Sequence, residues 1–216
     1  MESLIQTIAV YAIPVLFGIT LHEAAHGYVA RYFGDPTAEQ AGRISLNPTR
    51  HIDPIGTIVV PLFLLLSTKL LGGAGLLFGW AKPVPVNWSL LRNPKKDILW
   101  VALAGPASNL FMGILWAIAL RLQISFGLDS QDFWVKMAIA GIQVNLVLMA
   151  LNLVPLPPLD GGRIVYSLLP QSYANQYARI EPYGMLILIV LMFTGVLWVI
   201  LQPFLTFGQM IIRLFL

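Results

Sequence analysis

The chain has 216 residues, of which 57% are hydrophobic and only 11% charged, and thirteen Lys+Arg against ten Asp+Glu leave a net charge of +3. A soluble domain carries roughly 25% charged residues, so this chain lacks the polar side chains to coat a water-facing globule. The composition argues against a soluble enzyme or a disordered chain. The absence of cysteine also removes disulfides and any thiolate ligand or nucleophile. The isoelectric point near 9.3 comes from few charges, which suits cytoplasmic loops of a membrane protein better than a nucleic-acid partner.

Five apolar stretches follow in chain order. Residues 3–30 hold no charge between Glu2 and Arg31 except His22, Glu23 and His26, and they lack the basic start and small-residue cleavage site of a signal peptide. Residues 55–80 are apolar except for Lys69 and are interrupted by Gly72, Gly73 and Gly75. Residues 98–120 are a clean span, 137–159 end in the run Pro155, Pro157, Pro158, and 182–212 contain Pro182 and Pro203. The expectation is an all-α integral membrane protein with one domain over 1–216. It has four principal transmembrane helices, a re-entrant apolar segment at 55–80 and a small β element.

Basic residues set the orientation. Arg31, Arg43, Arg50, Lys69, Lys82, Arg92, Lys95 and Lys96 crowd the segment 31–97, whereas 121–136 holds Asp129 and Asp132 between Arg121 and Lys136. The positive-inside rule places 31–97 in the cytoplasm, 121–136 outside and the N-terminus extracytoplasmic. With both flanks cytoplasmic, 55–80 must dip in and return or cross twice.

His22-Glu23-Ala24-Ala25-His26 is an HExxH sequence. On a helix, His22 and His26 share a face and can bind one Zn²⁺, while Glu23 stands about 100° round the axis, within reach of a metal-bound water. The chemistry that follows is hydrolytic: zinc acidifies the water, Glu23 takes its proton and the hydroxide attacks a polarised carbonyl. Ionisable residues inside a span cost several kcal/mol, which marks these as functional candidates. The bland alternative is a mutually bonded trio in a helix interface.

Such a centre needs a third protein ligand. Asp160, in Leu159-Asp160-Gly161-Gly162 at the end of an apolar span, is the candidate, since prolines stop the helix before it and glycines free the backbone after it. Capping the helix near Arg163 is its plainer role. His51 is the competing ligand. If Asp160 shares a metal with the first helix, an even number of crossings must separate them, in agreement with the charges.

Gly105, Asn109 and Gly113 recur every four residues on one helix face, and Pro106 frees a carbonyl one turn earlier. Asn109 serves either substrate or a reaction oxyanion, or else helix packing. Asn145 and Asn152 share a second face. The reading assigns Asn152 to substrate and Asn145 to packing. Residues 79–87, with Pro83 and Pro85, read as an extended edge suited to β-augmentation or to a plain surface hairpin.

Taken together, the HExxH helix, Gly105-Pro106-Ala107-Ser108-Asn109 as a GPxxN motif, and Asn152 through Gly161 as an N-x-x-P-x-x-x-L-D-G motif resemble the site-2 protease family of intramembrane zinc metalloproteases, in its small prokaryotic branch without PDZ or CBS domains. The resemblance implies a catalytic site in the cell membrane near the cytoplasmic face, with His22, His26 and Asp160 on one zinc and Glu23 as base. It also implies single-span membrane proteins as substrates. The alternative of another class is a membrane metal-ion transporter using the same ligands, which should carry acidic or His residues along several spans.

Overall fold

The computed structural model describes residues 4–59 and 82–216, and among these the regular elements are all helical. In chain order the α-helices are α1 (Leu4–Tyr32), α2 (Thr37–Gln40), α3 (Pro94–Ser125), α4 (Phe133–Asn152), α5 (Asp160–Leu168), α6 (Gln171–Ala178), α7 (Glu181–Phe193) and α8 (Val196–Ile212).

Length and hydropathy decide which of these cross a bilayer. A span needs about 20 apolar residues at about 1.5 Å each, and α1, α3 and α4, with 29, 32 and 20 residues, qualify. Helices α7 and α8 qualify only as a pair, bent by 91°. The sequence reads 182–212 as one span. The structure breaks it after Phe193, where Gly195 takes a left-handed φ of 76° and the Thr194 hydroxyl turns back to the carbonyls of Val190 and Leu191. The protein is therefore a multi-pass membrane protein, all-helical among the described residues, which hold three or four candidate spans. Exposed Phe111, Leu115, Trp134, Leu186 and Val199 fit lipid contact.

Helices α1, α3 and α4 pack against one another, and α5 packs on α3. A second apolar core joins Ala117 of α3 and Leu146, Met149 and Ala150 of α4 to Leu188 of α7 and Leu201, Leu205 and Ile212 of α8. Between lipid-embedded helices apolar burial brings little net gain, so close packing and interhelical hydrogen bonds must hold the bundle.

The loops gather at one end of the bundle. Buried Asp35 accepts from the backbone N–H groups of Thr37 and Asn87 at 2.9 and 2.7 Å. Arg92 N donates to Phe33 O at 2.9 Å, and Lys95 Nζ donates to Tyr166 O at 2.6 Å. The end of α1, the start of α3 and the α5 region therefore lie together, and the turn between α3 and α4 lies at the other end. Lys82 N donates to His51 O at 3.0 Å and Val84 N to Glu23, so the chain from Lys82 onward also lies at the loop end.

Two expectations need comment. The re-entrant segment at 55–80 lies mostly outside the described residues, although Pro54–Val59 form a π-helical turn. A β element is not present among the described residues: 82–87 run without helix but pair with no strand. Pro83 and Pro85 bring no N–H to a ladder, and the backbone N–H groups of Lys82, Val84 and Asn87 are bonded to a loop carbonyl and two carboxylates instead.

Candidate metal centre

Helix α1 carries His22 and His26 on one buried face, 7% and 9% exposed. Their Nε2 atoms lie 3.1 Å apart. The first turn of α5 brings Asp160 to the same point, with Oδ2 3.2 Å from His22 Nε2 and 3.3 Å from His26 Nε2. Among the described residues these three form the one group of potential metal ligands of this kind.

The partners behind each ring show what this triangle is for. His22 Nδ1 lies 2.7 Å from Asn109 Oδ1, and His26 Nδ1 lies 2.7 Å from the Val101 carbonyl. Asn109 must present oxygen to His22, because its Nδ2 faces two acceptors, Gly18 O and Asn145 Oδ1, each at 3.1 Å. Both histidines therefore donate through Nδ1, which leaves each Nε2 available to offer a lone pair to a metal ion. The two Nε2 atoms and a carboxylate oxygen converge on one point, and buried Asp160 Oδ2 has no hydrogen-bond partner. With both Nδ1 protons committed elsewhere, the three atoms can act together as ligands of one cation. Ligand bonds of about 2.0–2.1 Å give tetrahedral edges of about 3.3–3.4 Å, close to the three separations here. The residues fit a zinc ion.

Helix packing makes the triangle possible. A Cβ on Gly105 would stand 2.5 Å from His22 Cε1 and from His26 Nε2, so only glycine lets α3 pass this close to both rings. Gly161 serves the same purpose on α5, because its missing Cβ would run into the carbonyls of Leu153 and Val154. The sequence marked Gly161 and Gly162 as freeing the backbone after Asp160, and at Gly161 the freedom is used for a close approach of two carbonyls.

Glu23, half-buried beside His22, accepts a 2.7 Å hydrogen bond from Val84 N. His51 is buried away from the triangle. It donates through Nε2 to Ser45 O at 2.9 Å, and its own carbonyl receives Lys82 N. Asn109, 0% exposed, has both N–H groups committed, so it orients His22 and has none left for an oxyanion. Asn152, half-buried at the end of α4, donates to Leu148 O at 3.0 Å. Sequence reasoning missed the backbone contributions of Val84 and Val101, which carry no residue-type signature, and the link from Asn145, whose buried amide did signal a partner.

An HExxH helix meeting an aspartate inside an apolar helical bundle marks the class of membrane-embedded metalloproteases. Comparison with known proteins agrees. The pattern of peptidase family M50 matches residues 124–195. The Bacillus subtilis protein named "Putative zinc metalloprotease YwhC" is 38% identical over 213 residues, covering 94% of this chain and 89% of that one. Rip2 of Mycolicibacterium smegmatis, under the same designation, is 33% identical over 184 residues, covering 84% of this chain and 66% of that one. Rip2 of Mycobacterium tuberculosis is 28% identical over 176 residues, with 63% of its length covered. No solved structure matches. The chain belongs to peptidase family M50, the site-2 protease family of membrane zinc metalloproteases.

Proposed function

We propose that this chain hydrolyses peptide bonds within or next to the transmembrane segments of single-span membrane proteins, with His22, His26 and Asp160 holding one zinc ion and Glu23 as the general base. The observation that carries the reading is the triangle of three acceptor atoms at 3.1, 3.2 and 3.3 Å, with both Nδ1 protons committed elsewhere. Zinc bound there supplies Lewis acidity towards a scissile carbonyl and makes water acidic enough to lose a proton near neutrality. Glu23 accepts that proton and returns it to the leaving amine. The Val84 N–H fixes the direction of its carboxylate. A helical substrate keeps its carbonyls bonded within the helix, so it must unwind to present one. Asn152, at the end of α4 eight residues before Asp160, is assigned to the substrate backbone.

The metal end is assigned to the cytoplasmic face and the N-terminus to the outside, with 55–80 returning to the cytoplasmic end. In support, Arg31, Arg43, Arg50, Lys82, Arg92, Lys95 and Lys96 belong to the chain around the metal end, while Asp129 and Asp132 sit in the opposite turn. Against metal transport stands the single ligand group among the described residues.

The test is Glu23→Gln in proteoliposomes with a single-span substrate. The variant should keep its zinc and lose cleavage by at least about 10²–10⁴-fold, the usual contribution of a general base. Cleavage at the parental rate would overturn the role of Glu23. A parental protein that moves zinc across the membrane and cleaves nothing would overturn the protease reading.

A further inference from the structure

We infer that Asn145 is a positioning residue for the metal centre, acting through Asn109 to hold the His22 imidazole in the tautomer and orientation that a metal ion requires. This rests on the ligand set proposed above.

The argument runs along hydrogen bonds that each allow one sense. Asn145, 0% exposed on α4, has Nδ2 2.9 Å from the Gly141 carbonyl, which can only accept. Its Oδ1 therefore faces α3, where it accepts from Asn109 Nδ2 at 3.1 Å. The other N–H of that Asn109 amide goes to Gly18 O on α1 at 3.1 Å, which leaves Asn109 Oδ1 for His22 Nδ1 at 2.7 Å. The Gly18 carbonyl and, through Asn145, the Gly141 carbonyl together hold the Asn109 amide with its oxygen towards His22 Nδ1. The relay also crosses all three helices of the central bundle.

The slot for the Asn145 amide is tight. A Cβ on Gly18 would stand 3.2 Å from Asn145 Oδ1 and 3.1 Å from Leu148 Cδ1. Removing the acceptor leaves an Asn109 N–H unpaired in an apolar interior, which is costly. The Gly18 carbonyl alone then holds the amide, so the unpaired N–H is relieved only by a shift of Asn109, which loosens its oxygen from His22 Nδ1. A ring released from that oxygen is free to turn or to carry its proton on Nε2, and either change takes its lone pair away from the metal site. Mere packing glue would have no such consequence, because loss of a packing contact loosens helices without choosing a tautomer.

The experiment measures zinc affinity of the detergent-purified full chain by competition with a chromophoric chelator. It also records the visible spectrum of the Co²⁺-loaded protein and the melting of the metal-free form. Asn145→Leu should weaken zinc by about 10–100-fold, the range for loss of an outer-shell partner. It should also change the Co²⁺ bands, whereas a helix-packing role alone would lower the metal-free melting temperature and leave zinc affinity and the Co²⁺ bands parental. Asn145→Ala makes the same deletion without branching and should behave alike, which covers a leucine variant that fails to fold. Asn145→Asp, buried and therefore neutral, can donate its O–H to Gly141 O and accept from Asn109. It should keep zinc affinity within about threefold of the parent, far less than an outer-shell loss. Parental zinc affinity in the Leu and Ala variants would overturn the relay, as would equal loss in the Asp variant. A parental chain that binds no zinc would overturn the metal centre itself.

Discussion

Substituting Gly105 by Ala sets two physical effects against each other with opposite signs. As a residue inside α3, alanine is the better helix former by about 1 kcal/mol, so on backbone grounds the variant should be more stable. The site says otherwise. The new methyl would stand 2.5 Å from His22 Cε1, 2.5 Å from His26 Nε2 and 2.6 Å from His22 Nε2. Comfortable contact begins near 3.5 Å, so the shortfall is about 1 Å against two rings at once. Neither ring can simply retreat, because each is tied by a 2.7 Å bond to α3 itself, His22 to Asn109 and His26 to the Val101 carbonyl. Either α1 and α3 separate by about 1 Å or the rings tilt off the Asp160 oxygen. Overpacking of this kind costs about 1–3 kcal/mol, which outweighs the helix-propensity gain. A 1 Å misplacement at a catalytic centre costs about 10²-fold in rate. Gly105→Ala should therefore lower the melting temperature, weaken zinc at least tenfold by chelator competition, and cut cleavage of a single-span substrate about 10²-fold. A variant that melts higher than the parent and binds zinc equally well would refute the claim that this glycine exists to admit the two histidines.

Three further outcomes are expected. Asp160→Ala should lose zinc by more than the roughly 100-fold that an outer-shell partner is worth. Full occupancy by elemental analysis would move the third ligand position elsewhere. Stripping the metal with a strong chelator should lower the melting temperature reversibly, because it leaves three buried acceptors facing one another; an unchanged melting curve would show that they are satisfied without a cation. The chain has no cysteine, so single cysteines introduced at Leu128 and at Arg92 report cleanly on orientation. An impermeant maleimide should label the first from outside the cell and the second only after lysis, and the reverse pattern would invert the topology.

The resemblance of motifs made the family legible from the sequence, and periodicity made most of the spans legible. His22 and His26 share a face because four residues make about one turn, a signal internal to one helix. Asp160 was singled out by its place at the end of an apolar span, between prolines and glycines, and the parity of crossings agreed; neither needs side-chain detail. What stayed hidden has a common physical character, in that it passes between elements through the main chain. The Val84 N–H on Glu23 and the Val101 carbonyl on His26 are groups every non-proline residue owns, so no residue type announces them. Pro106 pointed to the right turn of α3 by depriving the Ala102 carbonyl of its helical donor, yet the ring chose the adjacent one. Pro83 and Pro85 were legible as barriers to an interior strand. That Val84 between them and Asn87 after them would bond to carboxylates on and beside α1 was not, because such bonds depend on where α1 stands relative to the loop. The bend at Gly195 escaped for a related reason. Flanking apolar residues satisfy a hydropathy window whether the helix runs straight or turns by 91°, and a single glycine in lipid is compatible with both. Asn109 sits between these cases: its type and helix face were readable, but its role depended on which acceptors its two N–H groups would meet, and those lie on α1 and α4. A polar residue in a membrane helix therefore signals that it must have a partner, and only the packing of the other helices tells whether that partner is the substrate or the protein itself.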